Sequence, residues 1–195
     1  MGKPEMRWDW VAYGVIAVVL IYIVVVFNRL IRQRNVVREA WSGIDVQLKR
    51  RTDLVPALVE TVKGYATHER SLLEEVTAKR AMSLDAQAQG NVAQNAQATQ
   101  QLGSAVGRLI AVAEAYPQLK ANENFLKLQE QLSEIEEQLQ YARRYYNGAV
   151  RNLNISIQSF PDLLIAKPLG FSEQPFFELE DSQRANPNIS FQQGA

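Results

Sequence analysis

Apolar residues fill one unbroken stretch near the start of the chain and recur at helical spacing almost everywhere after it. From position 10 to position 27 no residue is charged and nearly all are apolar. At 1.5 Å per residue this run is about 27 Å long, which just spans a bilayer core. Twelve of its residues are Val, Ile, Leu or Phe, and together they favour insertion by about 5 kcal/mol. Trp8, Trp10 and Tyr13 suit the aromatic belt at one interface, and Arg29, Arg32, Arg34 and Arg38 mark the other. A cleaved signal peptide would have a shorter apolar region ending in small residues, whereas this run ends in Val24, Val25, Val26 and Phe27. The expectation is an uncleaved membrane anchor, with residues 1–9 as a short tail and 10–28 as the transmembrane helix.

Beyond the anchor the period changes. Val37, Trp41, Ile44, Leu48, Val55, Leu58 and Val62 recur at helical intervals, with Arg51 in the one polar place of the series, which predicts a long helix continuing out of the membrane. Pro56 lacks a backbone donor and crowds the preceding turn, so a kink or a restart capped by Asp53 is expected. Gly64 suits a C-terminal cap, and Thr67 suits the start of a second helix carrying Leu72, Leu73 and Val76. Residues 86–101, AQAQGNVAQNAQATQQ, hold almost no large apolar side chain and predict an exposed connection with frayed helix ends. A third helix carries Leu102, Val106, Leu109, Ile110 and Ala113 and is limited by Pro117. The fourth is a sustained heptad series capped by Asn122: Phe125, Leu128, Leu132, Ile135, Leu139, Ala142, Tyr146, Ala149 and Leu153, ending at Phe160 and Pro161.

The expected fold is therefore all-α, with an N-terminal transmembrane helix continuing into an antiparallel bundle of four long helices over residues 29–160. An even number of helices returns the chain to the membrane. Rise per residue then sets Trp41 level with Tyr145, and Asp45 level with Arg143 and Arg144. The tail, residues 161–195, combines Pro161, Pro168, Pro175 and Pro187 with Phe171, Phe176, Phe177 and Phe191. Such proline density predicts an extended form without helix, and the aromatics predict packing on protein. Its net charge of −3 argues against adsorption to anionic lipid.

Across 195 residues, 21 basic side chains balance 21 acidic ones, which leaves no field for nucleic acid. The balance is uneven along the chain: residues 29–80 carry 11 basic and 7 acidic side chains and residues 81–195 carry 8 and 12, so the two halves attract. There is no cysteine and one histidine, which excludes disulfides, thiolate nucleophiles and sites requiring two histidines. His68 beside Glu69 has no second histidine a turn away, and Glu134, Glu136 and Glu137 read as the solvated face of a long helix. Asn152, Asn154 and Gln158 read as polar helix positions. No metal and no cofactor is expected.

The chain resembles the LemA family of bacterial membrane proteins over nearly its whole length. The resemblance rests on Ala40, Trp41 and Ser42 with residues 44–51; on 62–66 with His68 and Glu69; on 114–117 and 119–125; on 142–147; on 159–161; and on Gly170 and Phe171. Gly43, Pro168 and the Ala/Gln stretch depart from the family pattern. The resemblance implies a short N-terminal segment outside, one transmembrane helix in the bacterial inner membrane and a helical domain regarded as cytoplasmic. It implies no established catalytic activity.

Two levels of the bundle concentrate these residues. A waist of Trp41, Asp45, Arg143, Arg144, Tyr145 and Asn147 reads as structural, with a buried Trp–Tyr pair and an Asp–Arg contact fixing helix register. A distal tip of Lys63, Tyr65, His68, Glu69, Tyr116, Lys120, Asn122 and Asn124 offers a candidate ligand or partner site, although helix caps need the same residue types. The expected function is a single-pass membrane scaffold or adaptor without catalytic activity, assembling with copies of itself or with another membrane protein. The alternatives are an accessory subunit of a membrane enzyme or quality-control protease, and an enzyme with an unrecognised site at the tip. The arginine cluster places the bundle in the cytoplasm; the periplasmic or extracellular side is the alternative.

Overall fold

The computed structural model describes residues 6–66 and 68–178, all helix, turn or irregular chain with no strand among them. Residues 1–5, the expected Thr67 cap and the tail beyond residue 178, with Pro187 and Phe191, lie outside the described residues. Six helices follow in order: α1 Met6–Lys63, α2 Arg70–Gln89, α3 Val92–Ala113, α4 Pro117–Lys120, α5 Glu123–Gln158 and α6 Leu163–Ala166. The four long ones are those the apolar periodicity predicts; α4 and α6 are single turns. The chain divides into two compact units, one of Met1–Gln47 with Glu136–Phe176 and the other of Leu48–Ile135 with Phe177–Ala195.

In the second unit the apolar series folds inward as its spacing predicts. Val55, Leu58, Val62, Leu73, Val76, Leu102, Leu109, Leu119 and Phe125 form one buried cluster that also takes in Ala66, Ala105 and Ala113. Helix α1 does not restart at Pro56. The proline nitrogen cannot donate to the carbonyl of Thr52, four residues back, and Arg80 of α2 donates its Nε–H to that carbonyl instead, at 2.7 Å. A foreign donor thus satisfies the orphaned acceptor and the helix continues to Lys63. Arg51, the polar member of the series, is buried. A Cβ added at Gly103 would come within 2.8 Å of its Nη2, so the glycine leaves room for the guanidinium.

The Ala/Gln stretch is not an exposed connection. Helix α2 runs to Gln89, Gly90 closes it in the left-handed region at φ 66°, and Asn91 caps α3 by accepting from the amides of Ala93 and Gln94. The result is a helical hairpin whose facing surfaces are small: Ser83, Ala86, Ala96, Ala98 and Thr99 are buried. Asn95 is buried with them and donates from Nδ2 to the carbonyls of Ala86 and Asn91, both at 3.0 Å. Small side chains contribute less apolar area each, but they let two backbones approach closely enough for dense contact.

In the first unit, α1 changes character along its length. From Val11 to Val25 its large apolar side chains are mostly exposed, while Val26, Leu30, Val37, Ala40 and Ile44 are buried. The exposed stretch is long and apolar enough to cross a membrane. The α5 residues Leu139, Tyr146, Val150, Leu153 and Ile157 are buried in the same unit. After α5 the proline-rich segment forms the short α6, against the expectation that no helix survives there: Pro161 and Pro168 flank this turn rather than interrupt it, and positions 163–166 keep their backbone donors. Residues 171–178 have no regular secondary structure.

Candidate functional site

The tip residues lie in the Leu48–Ile135 unit, on the turns after α1 and around α4. The Asn122 Oδ1 accepts the Phe125 amide at 3.1 Å, capping α5, while its Nδ2 donates to the Tyr65 hydroxyl at 3.1 Å. The Tyr116 hydroxyl donates to Glu69 at 3.5 Å, and Glu69 also accepts the Leu73 amide through its backbone carbonyl. Four of the eight expected residues thus meet in two pairs that join the two turns. The other four do not join them: Lys63 pairs within its own helix with Glu60 at 3.4 Å, and His68, Lys120 and Asn124 are exposed. Among the described residues no group of three His, Asp or Glu side chains could hold a metal ion.

The waist differs from its expectation in two respects. Trp41 meets Tyr146, not Tyr145, with ring centroids 5.5 Å apart and planes at 62°. Tyr146 is 2% exposed and Tyr145 57%. Equal height along two helices fixes a level but not a face, and only the residue on the apolar heptad turns inward. Asp45 is exposed, as its place one residue after the buried Ile44 dictates, so no buried Asp–Arg clamp forms. Arg143 and Asn147 are half-buried, and the Arg144 guanidinium lies 4.7 Å from the centre of the exposed Tyr141 ring.

What closes this unit is the tail. The Tyr146 hydroxyl donates to the Pro175 carbonyl at 2.9 Å, and burial raises the pKa of this phenol above its ordinary 10.0. Asn154 is buried and makes two bonds to Gln174, donating to its carbonyl and accepting its amide, both at 2.9 Å. This pairing treats the side-chain amide as a backbone peptide, which satisfies a segment without secondary structure of its own. Reading Asn154 as one more polar helix position missed this role. Its signal was the spacing Val150, Leu153, Asn154, Ile157, which puts it on the apolar face.

Two of the arginines expected at the membrane interface, Arg29 and Arg34, are also engaged by the tail. Asp162, buried, receives the Tyr22 hydroxyl at 2.7 Å and an ion pair from Arg29. Phe171 packs edge-on against Phe27, with centroids 6.1 Å apart, and lies 5.4 Å beneath the Arg34 guanidinium. Arg32 is exposed and lines an open groove of about 390 Å³ with Gln33, Val36, Asn152, Ile155 and Ser156. Trp8 and Trp10 are exposed near the other end of the apolar stretch.

A model of the LemA family matches residues 40–191. The chain is 24% identical over 188 residues to Protein LemA of Metamycoplasma hominis, covering 94% of this chain and 84% of that one. It is 24% identical over 178 residues to Magnetosome protein MamQ 2 of Paramagnetospirillum magneticum, covering 78% of this chain and 64% of that one. Against Magnetosome protein MamQ of Magnetospirillum gryphiswaldense it is 24% identical over 162 residues, covering 70% and 58%. The chain thus spans less than two thirds of either MamQ protein.

Proposed function

The chain belongs to the LemA family, and on that premise we propose that it is a single-pass, membrane-anchored helical scaffold that assembles with copies of itself or with protein partners and has no catalytic activity. The observation that carries this reading is the composition of α1. One uninterrupted helix of 58 residues presents exposed apolar side chains between Val11 and Val25 and buried core positions from Val26 to Val62. Anchor and bundle are therefore one element, which confines a helical surface to the plane of a membrane and raises its effective concentration toward neighbours. For the partner we point to α5, where Tyr141 and Tyr145 are exposed and Arg144 stacks on Tyr141. Exposed Tyr and Arg held in fixed orientation are the residue types that dominate protein interfaces. The arginines at 29, 32, 34 and 38 favour the cytoplasmic side of a bacterial inner membrane for the bundle.

The test is the mass of the detergent-extracted protein. A multiple of 22.0 kDa that falls toward one chain on replacing Tyr141 and Tyr145 by Ala is the expected result. A stoichiometric second protein would favour the accessory-subunit alternative. A lone chain at working concentration would overturn the scaffold reading. A single cysteine placed within residues 86–101 should resist an impermeant thiol reagent in intact cells, and ready labelling would reverse the orientation.

A further inference from the structure

The membrane span and the start of the tail are pinned to each other at a definite depth. Tyr22 lies six residues before Asn28, the end of the expected span, so its backbone is about 9 Å inside that boundary. Its hydroxyl holds Asp162 at 2.7 Å, Arg29 holds the same carboxylate, and Phe27 packs on Phe171. The second pin, at Phe27, is one residue before the same boundary, so both ends of the segment 162–171 lie at or within it. Yet Phe160, two residues before the first pin, is 81% exposed, and within the segment Leu164 is 65% and Leu169 48% exposed. Three large apolar side chains on one short segment in water would be a costly patch; at this depth their surroundings are lipid.

We propose that residues 160–169 form a second membrane contact, a short interfacial wedge whose Phe160, Leu164 and Leu169 dip into the headgroup and acyl boundary beside the α1 span. The occupant of this apolar face is the bilayer itself, continuous with the lipid around α1. The charge argument against tail adsorption does not reach this segment. Its one acid, Asp162, is buried and paired with Arg29, its one base is Lys167, and the remaining acids of the tail lie at Glu173 and beyond. A paired carboxylate and a free lysine suit an interface that carries anionic lipid. A segment so placed sits about as deep as interfacial helices do, roughly 5–10 Å into the boundary.

This inference rests on the reading that α1 spans the bilayer, and the test separates the two. The chain has no cysteine, so single cysteines at positions 18, 145, 160 and 164 of the full-length protein can each carry one environment-sensitive fluorophore. The labelled proteins are reconstituted in phosphatidylcholine–phosphatidylglycerol vesicles with or without spin labels on the acyl chains. The expected result is strong quenching at 18, quenching with a blue-shifted emission at 160 and 164, and none at 145. Quenching at 18 alone overturns the wedge and leaves the anchor standing. A blue shift at 160 and 164 without quenching means that a second copy covers the face, which also overturns it. No quenching at 18 overturns the anchor, and the wedge with it.

Discussion

In the Leu48–Ile135 unit, apolar side chains meet apolar side chains from Val55 to Leu132, and the hairpin of α2 and α3 adds small residues packed closely. In the unit of residues 6–47 and 136–176 an apolar seam is present too, but the tail is fastened to it by directed contacts: Tyr146 to Pro175, Asn154 to Gln174, and Tyr22 and Arg29 to Asp162. The difference follows from what each segment can offer. A helix satisfies its own backbone and needs only a face to bury, whereas a proline-rich segment leaves peptide groups that must be met from outside. Bulk burial tolerates volume-conserving change, while hooks of this kind depend on particular atoms.

The largest expected effect tests the apolar side of that contrast. Phe125 is 1% exposed, and Phe125→Ala should lower stability by about 3–5 kcal/mol in denaturant unfolding, with Phe125→Leu recovering much of it. Next is a directed contact inside the apolar unit. Replacing Arg80 by Met leaves the Thr52 carbonyl unmet beside Pro56 and should cost about 1.5–3 kcal/mol. In a Pro56→Ala background the helix supplies its own donor, so the same replacement should cost clearly less. Equal costs in both backgrounds would remove this explanation of the unbroken helix.

The tail hooks should respond to single atoms. Asn154→Ala removes two bonds to Gln174 and should cost about 1–3 kcal/mol; limited proteolysis should then cleave the segment after Phe171 first. Tyr146→Phe keeps the ring against Trp41 and loses the bond to Pro175, at a cost of about 1 kcal/mol. The same substitution carries a pH signature. The folded phenol has a raised pKa, so its contribution is complete below the unfolded value near 10.0 and is lost as pH rises through the folded value. The stability difference between wild type and Tyr146→Phe should therefore shrink in alkaline solution and stay constant below it. Smallest is Asp45→Ala, which should change stability by no more than about 0.5 kcal/mol because the carboxylate is exposed.

The parts that the sequence made legible are those governed by periodicity. Val37, Ile44, Leu48, Val55, Leu58 and Val62 on α1, and Phe125, Leu132, Ile135, Leu139, Tyr146 and Leu153 on α5, are buried where their spacing puts them. The same periodicity already set Tyr146 inward, and height alone misdirected the pairing to Tyr145. What stayed hidden has two physical causes. Residues 86–101 lack large side chains, so an argument from apolar bulk misses a hairpin built on close approach; the adjacent Gly90 and Asn91 were its readable signal. The tail hooks of Tyr146 and Asn154 end on the carbonyls of Pro175 and Gln174, and in the other unit Arg80 ends on the Thr52 carbonyl. Every residue carries such a carbonyl, so sequence does not distinguish the one that is used.

The pairing of Arg29 with Asp162 also has an order in time. The two residues are 133 positions apart, so at synthesis rates of about 5–20 residues per second Arg29 waits roughly 7–27 s for its partner to be made. Throughout that interval Arg29 stands without the carboxylate that pairs with it in the folded protein, in a run that also carries Arg32, Arg34 and Arg38. Only after those 133 positions does Asp162 neutralise it. The net positive charge that follows the apolar stretch is thus greater while the chain is being made than in the folded protein.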